Sequence, residues 1–172
     1  SEAADSPAER QVERLEELDI GRALFLKVSP AKDELMLANH RFELLHVDLK
    51  EKRVSLLDKS SFGRIAGADW SPDGNWVVYG FRTSQFSSAI KLYHLPSGQS
   101  HYITRPNDLH DFGPSFDPDG KYIYFISYRD FDPVYDSHYF DLNFPRGSRP
   151  YLITLQKELP SPFINLPNHI EE

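Results

Sequence analysis

The 172-residue chain contains no cysteine, so disulfide bonds, thiolate nucleophiles and cysteine-ligated zinc are excluded. Basic residues are in the minority, with 19 Lys and Arg against 26 Asp and Glu. The net charge of −7 argues against nucleic acid as a partner, because phosphate contacts require a basic face. Long apolar segments are also missing, and the longest run, residues 122–126, is far too short to cross a bilayer. We therefore expect neither a nucleic-acid partner nor a membrane partner.

Aromatic residues, by contrast, are abundant. They make up 13% of the chain, and hydrophobic residues as a whole make up 40%, which is enough for a sizeable core. Aromatic and β-branched side chains favour strands, so the composition indicates an all-β protein.

A repeated pattern sets the architecture. Residues 70–79 and 116–125 each contain an aromatic residue, a small or acidic residue, Pro-Asp-Gly, a polar residue and then four apolar or aromatic residues. A degenerate copy occupies residues 28–37. The prolines of the three copies, at positions 30, 72 and 118, lie 42 and 46 residues apart. These intervals match the roughly 40–45 residues of a four-stranded propeller blade.

The repeated tripeptide has the chemistry of a hairpin turn. Proline presets φ at the second turn position, aspartate bonds its own backbone, and glycine adopts positive φ without a Cβ clash. The sequence therefore predicts blade turns at two full copies of the motif, which are Pro72, Asp73, Gly74 and Pro118, Asp119, Gly120. In the first copy Ala31-Lys32-Asp33 replaces Asp-Gly, so its turn is expected to be irregular.

The predicted fold is all-β: a partial β-propeller of about three four-stranded antiparallel blades with a short N-terminal helix at 7–18. The helix is indicated by a capping-box spacing from Ser6 to Glu9 with Pro7 at the first helical position. Propellers close with about four to eight blades, so we expect a piece of a longer protein, or open edges that pair between copies. The predicted segments are a helix and linker at 1–19, blades at 20–64, 65–106 and 107–160, an insertion within the last blade at 129–149, and a tail or linker at 161–172.

The turns resemble the PD40 repeats of TolB-like and tricorn propellers, and other segments narrow this resemblance. They are Ala-Asn-His-Arg-Phe-Glu-Leu at 38–44, Tyr-Arg-Asp-Phe-Asp-Pro-Val-Tyr-Asp at 128–136, Phe-Asp-Leu at 140–142, Phe-Pro-Arg-Gly at 144–147, Arg-Pro-Tyr at 149–151 and Leu-Pro-Ser-Pro-Phe at 159–163. Over about residues 20–163 the chain is similar to bacterial tricorn protease homologues, in the later blades of the second, seven-bladed propeller.

This resemblance implies that the chain belongs to a large cytoplasmic serine peptidase with two propellers, a PDZ-like domain and catalytic domains, assembled as a homo-oligomer. In that family the propellers perform no chemistry and guide peptides toward the active site or products away from it. The catalytic Ser and His lie C-terminal to the propellers, so the resemblance implies no catalytic residue and no cofactor in this chain. The implied partners are peptides, and the remaining blades and catalytic domains of the parent chain.

Few residues suggest a catalytic or metal-binding site within the chain itself. Ser29 and Lys32 have the spacing of Ser/Lys acyl enzymes, but that chemistry requires the serine at a helix start, whereas the repeat places Ser29 at a strand–turn–strand corner. The acidic insertion offers weak metal ligands, yet an EF-hand beginning at Asp130 fails and no known ligand spacing fits, so no metal is predicted. The weak candidates are Asp130, Asp132, Asp136, His138 and Asp141.

Two further features bear on peptide binding. The fork of Arg41, beside His40, is a candidate contact for a peptide carboxylate, although an ordinary hairpin loop between the second and third strands is the favoured interpretation. The first strand of each blade faces the propeller axis and is expected to line a channel. The charged residues that flank these strands are Arg22, Arg64, Asp69, Asp108 and Asp111.

Two alternatives to a peptide-guiding peptidase propeller stay open. One is a TolB-like scaffold that binds a protein partner, and the other is the propeller lid of a prolyl-oligopeptidase-like hydrolase. A PDZ and peptidase sequence downstream supports the first hypothesis, a nearby stop codon supports the scaffold, and a Gly-x-Ser-x-Gly elbow supports the lid.

Overall fold

The computed structural model describes residues 18–106, 109–129, 134–136, 141–143 and 147–163. In this part of the chain all regular structure is β, and its main body is three antiparallel sheets in chain order. Residues 1–17 lie outside the described part, and with them nearly all of the helix predicted at 7–18. No helix among the described residues has the length and hydropathy needed to cross a membrane.

The first and second sheets each contain four strands in sequential order, as predicted. Each is a meander in which every strand pairs with the next one along the chain, so every connection within a sheet is a hairpin. The strands are β1 (Ala23–Val28), β2 (Glu34–Asn39), β3 (Glu43–Asp48), β4 (Arg53–Lys59), β5 (Ala68–Trp70), β6 (Trp76–Arg82), β7 (Ser88–His94) and β8 (Gln99–Tyr102).

The third sheet has three strands among the described residues, β9 (Asp111–Phe116), β10 (Tyr122–Ser127) and β13 (Arg149–Thr154), in the order β13-β10-β9. Between β10 and β13 lies the segment predicted as an insertion, which contributes a two-stranded ribbon of β11 (Val134–Asp136) and β12 (Asp141–Asn143). Strands β10 and β13 therefore pair although about 20 residues separate them in the chain.

One strand is shorter than expected. The sequence predicts a strand over 65–70, whereas β5 is Ala68–Trp70. Gly67, with φ of 78°, interrupts the extended backbone just before β5. Its Cβ position would lie 3.4 Å from the Gly113 Cα atom, so the backbones of the second and third sheets approach each other closely here.

The two ends of the sheets differ in character. The β5–β6 and β9–β10 turns contain the Pro-Asp-Gly motifs, and the glycine amides of Gly74 and Gly120 donate hydrogen bonds of 2.9 and 2.8 Å to the Ser71 and Asp117 carbonyls. We call this end of the sheets the turn end. The opposite end carries the links from each sheet to the next, together with the β2–β3 and β6–β7 loops, and we call it the connection end.

The apolar core lies between successive sheets, as expected for stacked blades. Between the first and second sheets a buried cluster contains Met36, Leu44, Trp70, Val77 and Tyr79. A second cluster, with Val78, Ile90, Ile123 and Phe125, joins the second sheet to the third. Adjacent residues of β6 therefore point in opposite directions, and the second sheet buries both of its faces because it has a neighbouring sheet on each side.

Candidate functional site

The innermost strands of the three sheets lie next to one another. β1, β5 and β9 are each the first strand of their sheet, and β5 contacts both β1 and β9. The three strands form one continuous inner edge, which is the surface that faces the axis in a propeller. We take this inner edge as the candidate functional site.

One carboxylate joins all three inner strands. The Oδ1 atom of Asp69 on β5 lies 2.6 Å from the Lys27 ammonium on β1. Its Oδ2 atom accepts hydrogen bonds of 2.7 Å from the Ser115 hydroxyl and 2.9 Å from the Phe116 amide on β9. Asp69 is only 8% exposed, so these bonds form where water competes little.

A tryptophan reinforces the same junction. The Trp70 side chain is buried between the first two sheets, and its indole N–H donates to the Lys27 carbonyl at 3.1 Å. Burying the indole without a partner would be costly, and this hydrogen bond satisfies its one donor. The inner edge is therefore held by both a charged and an apolar anchor.

A shallow recess of about 280 Å³ opens on the inner edge at the turn end. All three sheets contribute to its lining, with Lys27, Pro30, Trp70, Pro72, Phe116 and Pro118 among the residues. A second, larger groove of about 480 Å³ lies between the second and third sheets and is lined by residues that include Trp76, Leu92 and Phe116. The described structure thus offers apolar surface beside fixed charges at the end where the motif turns lie.

The predicted blade turns act as contacts between blades. A Cβ atom at Gly74 would lie 3.0 Å from the Ser29 hydroxyl and 3.1 Å from the Ala31 Cβ, so this turn rests on the turn of the first sheet. A Cβ atom at Gly120 would likewise lie 3.5 Å from the Pro72 ring on the second sheet. The side chain of Asp73 stays within its own turn, where a hydrogen bond from the Ser71 hydroxyl lowers the pKa of the carboxyl.

The Ser-x-x-Lys pair lies at the corner between β1 and β2, as the repeat predicts. The buried Ser29 hydroxyl accepts a hydrogen bond of 3.4 Å from the Ala31 amide, and the Lys32 ammonium donates to the Asn75 side chain of the second sheet at 3.1 Å. The turn is irregular, with a tight hydrogen bond from the Glu34 amide to the Lys32 carbonyl. In this arrangement the lysine amine is used to join two turns.

His40 and Arg41 lie in the β2–β3 loop at the connection end. The Arg22 amide donates to His40 Nδ1 at 3.1 Å, and the Arg41 guanidinium pairs with Asp19 at 3.0 Å and Glu43 at 2.8 Å. Hydrogen bonds from the Asn39 amide, Lys59 and Arg41 lower the pKa of Glu43 to about 2. Both side chains are therefore already engaged in holding this loop, and their role as peptide contacts stays a prediction.

The metal candidates of the insertion cannot be placed. Asp130, Asp132 and His138 lie outside the described residues, as does Asp108, and the side chains of Asp136 and Asp141 are not described. Within the described residues there is no group of three or more His, Asp or Glu side chains arranged to hold a metal ion.

The bridging role of Asp69 was not predicted, although a signal for it exists in the sequence. Lys27, Asp69 and Ser115 each stand three residues before the proline of their repeat. Because equivalent positions of successive blades meet along the axis, a basic, an acidic and a hydroxyl residue in this register indicate a chain of polar contacts.

Comparison with known proteins agrees with this geometry. The sequence profile of the family described as “Tricorn protease second beta propeller domain” matches residues 4–172. The chain is 41% identical over 146 residues to a protein of Sulfurisphaera tokodaii named as a tricorn-like protease C-terminal subunit, with 85% of this chain and 17% of the relative covered. It is 38% identical over 150 residues to tricorn protease homolog 1 of Streptomyces coelicolor, with 87% and 14% covered.

A solved structure shows the same fold. The crystal structure of the tricorn protease matches with a TM-score of 0.80 and 28% sequence identity, over 91% of this chain and 16% of that chain. The chain therefore spans only about one sixth of the length of these relatives.

Proposed function

The chain belongs to the tricorn protease second β-propeller family, and from this premise we propose that its three sheets form part of the wall of an axial channel. In this proposal the channel passes peptides toward, or products away from, the active site of a tricorn-like serine peptidase. The chain itself performs no bond cleavage. The whole protein is proposed to be a cytoplasmic homo-oligomer in which this domain is one part of a larger chain.

The observation that carries the proposal is the Asp69 junction. A channel wall must keep its shape while flexible chains pass along it, and a wall made of separate sheets tends to open at the seams. The ion pair with Lys27 and the hydrogen bonds from Ser115 and Phe116 close two seams at their inner edge. These charge-assisted contacts converge on the buried Asp69 carboxylate and favour one fixed arrangement of the three inner strands.

The geometry of the Ser29 corner is consistent with bond cleavage at another place in the parent protein. A nucleophilic serine needs a base within hydrogen-bond reach. Here the Ser29 hydroxyl accepts from the backbone of Ala31, and the Lys32 amine is bonded to Asn75 on the neighbouring sheet. The described turn therefore supports a structural role for both residues.

The channel proposal is tested by narrowing the channel in the full-length protein. The described domain has no cysteine, so Ser115→Cys places a single thiol on the innermost strand β9. The hydrogen bond from Ser115 to Asp69 is lost equally in every labelled form, so comparing a methyl label with a polyethylene-glycol maleimide label isolates the effect of bulk at one point. We expect turnover of long peptides to fall as the label grows, with a smaller effect on dipeptide and tripeptide substrates.

Ser97→Cys is the matched control, since Ser97 is also exposed but lies in the β7–β8 turn, away from the inner edge. Other cysteines of the full-length protein are replaced beforehand. Equal turnover with the small and large labels at position 115 contradicts the channel. A wild-type protein that cleaves no peptide contradicts the peptidase assignment itself.

A further inference from the structure

A small recess at the connection end combines positive charge with aromatic surface. It has a volume of about 140 Å³, lies between the second and third sheets, and is lined by residues that include Arg64, Arg82, Ser88, His110 and Phe112. It is separate from the inner-edge recess, which lies at the turn end.

Two guanidinium groups supply the charge. Arg64 is exposed in the link before β5, and Arg82 is the last residue of β6. The Arg82 side chain lies over Gly63, and its Nη1 atom donates a hydrogen bond of 3.3 Å to the Gln85 carbonyl. In the described part of the chain neither guanidinium forms an ion pair, so most of their N–H donors face the recess or solvent.

The one acid in the lining does not offset this charge. Asp111 is fully buried, and its carboxylate accepts hydrogen bonds from Ser127 and from Arg129 Nη2, the latter at 2.7 Å. The Asp111 carbonyl accepts from the Ser88 hydroxyl at 2.7 Å. Because Arg129 neutralises Asp111, the two remaining guanidinium groups give the recess a net positive charge.

Aromatic rings form one side of the recess. The His110 ring centroid lies 5.1 Å from that of Phe112, with the two planes tilted by 30°, and it stacks on the Tyr128 ring at 5.8 Å. His110 Nδ1 bonds the Ser88 hydroxyl at 2.8 Å. Burial, and then the positive charge of Arg82, lower the pKa of His110, so the imidazole is neutral at pH 7 and the charge belongs to the arginines.

The repeat places this recess at the mouth of the inner edge. Arg22, Arg64 and His110 occupy one position in the three copies, at the same 42- and 46-residue intervals as the turn prolines. Each stands at the connection end, just before the innermost strand of its sheet. Basic or imidazole side chains therefore recur where a channel along the inner strands would open.

We propose that this recess binds a peptide carboxylate, held by the Arg64 and Arg82 guanidinium groups, with the adjoining apolar part of the ligand against Phe112, beside which the Tyr128 ring stacks. Planar guanidinium forks match carboxylate geometry, and among the described residues no unpaired acid in the lining competes for them. That the ligand is a peptide rests on the proposed function, whereas recognition of a carboxylate beside an apolar group rests on the recess alone.

Binding is measured by isothermal titration calorimetry on the full-length protein with 3-phenylpropionate, which carries a carboxylate and a ring but no peptide bond to cleave. The neutral control ligand is 3-phenylpropionamide. We expect the acid to bind at least tenfold more tightly than the amide, and its affinity to fall as salt is added. Arg64→Gln and Arg82→Gln are each expected to weaken the acid at least tenfold.

Arg53→Gln is the control variant, since Arg53 is exposed on the outermost strand β4 and should not alter binding. Arg64→Lys at the exposed position keeps the charge but loses the fork, so an intermediate affinity is expected in a folded protein. Peptides with a free or amidated C terminus, and with or without an acidic side chain, then identify the source of the carboxylate.

Equal affinity for acid and amide, or acid binding unchanged in both arginine variants, overturns the proposal. Inorganic phosphate that binds as tightly as 3-phenylpropionate and displaces it also overturns it, since the site would then select charge alone. These results are independent of peptide turnover. If the recess fails to bind the acid selectively but bulky labels at position 115 block long peptides, only the carboxylate proposal is overturned. If the recess binds the acid selectively but the labels have no size-dependent effect, only the channel proposal is overturned.

Discussion

The Ser115 hydroxyl on β9 donates a 2.7 Å hydrogen bond to the carboxylate of Asp69 on β5, so the side chains of two neighbouring sheets are directly bonded. The two residues are 46 positions apart in the chain, and the same carboxylate reaches Lys27, 42 positions earlier. A single buried acid thus holds three consecutive sheets in register at their inner edge.

Replacing this acid should loosen both seams. Asp69→Asn keeps the shape of the side chain but removes its charge, which leaves the Lys27 ammonium without its ion-pair partner. If the new amide NH₂ group occupies the position of Oδ2, it faces the Phe116 N–H, and two donors then oppose each other. We expect a loss of about 1–3 kcal/mol in the free energy of unfolding, measured by urea denaturation.

The control for this change is Asp33→Asn, because Asp33 pairs with Lys50 on the surface, where both side chains are more than 60% exposed. Such pairs contribute little, so its effect should stay within about 0.5 kcal/mol. Equal effects of the two substitutions would show that the Asp69 junction does not hold the sheets.

A second polar network joins β4 of the first sheet to β6, β7 and β8 of the second. The Tyr79 hydroxyl donates to the Asp58 carboxylate at 2.6 Å and lies 3.0 Å from the Ser100 hydroxyl, while Lys91 pairs with the same carboxylate. Burial, with the nearby Asp58, raises the pKa of Tyr79 well above its ordinary value, so the hydroxyl remains a donor at all accessible pH.

Tyr79→Phe should therefore lower the free energy of unfolding by about 1–2 kcal/mol, with an unchanged dependence on urea, because one donor is lost from an otherwise intact core. Tyr93→Phe is the matched control on the adjacent strand β7, since the Tyr93 hydroxyl has no hydrogen bond within the described residues. A Tyr79→Phe variant as stable as Tyr93→Phe would mean that water replaces the lost contact.

The β2–β3 loop should show its own pH dependence. Hydrogen bonds from Asn39, Lys59 and Arg41 lower the pKa of Glu43 from its ordinary value of 4.5 to about 2. A depressed carboxyl pKa stabilises the folded state above the unfolded value, and that stabilisation is lost as the pH falls from about 4.5 to about 2. Glu43→Gln should therefore destabilise the chain by about 1 kcal/mol or more at pH 7.

The difference between wild type and Glu43→Gln should shrink steadily below pH 4.5 in urea titrations at several pH values. Glu51→Gln, in the exposed β3–β4 turn, serves as the comparison and should show little difference at any pH. A Glu43→Gln deficit that persists unchanged at pH 2.5 would contradict the assigned role of the charge.

The parts of the fold that are encoded locally could be predicted from the sequence. Pro72-Asp73-Gly74 specifies its turn with its own dihedral preferences and hydrogen bonds, and the continuous run of apolar residues at the start of β6 specifies two buried faces. Gly67 shows the limit of this local information. Its close approach to Gly113, a residue of another sheet, could not be predicted from the sequence around β5.

The contacts that build the candidate site depend on the stacking of the sheets, and so they were not predicted. Asp69 was recognised only as a charge beside an inner strand, since nothing within β5 indicates that Lys27 and Ser115 would meet it. Arg64 was recognised in the same limited way, because its partner in the recess, Arg82, lies at the far end of a different strand. Aligning the repeats position by position is what shows which residues of neighbouring sheets can meet.

The contact between successive blade turns can be tested by comparing two glycines that have nearly the same φ angle. Gly74 has φ of 67° and Gly98 has φ of 66°, so an alanine at either position incurs a similar left-handed penalty of about 1–2 kcal/mol. Their surroundings differ. An added Cβ at Gly74 meets Ser29 at 3.0 Å and Ala31 at 3.1 Å on the preceding sheet, whereas at Gly98 the nearest atom is the Tyr93 hydroxyl at 3.7 Å.

Gly74→Ala should consequently cost more than Gly98→Ala, by about 1 kcal/mol or more in urea denaturation, and the excess measures the steric contact between sheets. The double variant Gly74→Ala with Ser29→Gly removes the nearer obstacle and should recover part of that excess. If the two single variants lose equal stability, the turns do not press on one another in solution. The motif glycine would then serve its own hairpin alone, and the stacking of the turns would contribute nothing to holding the sheets together.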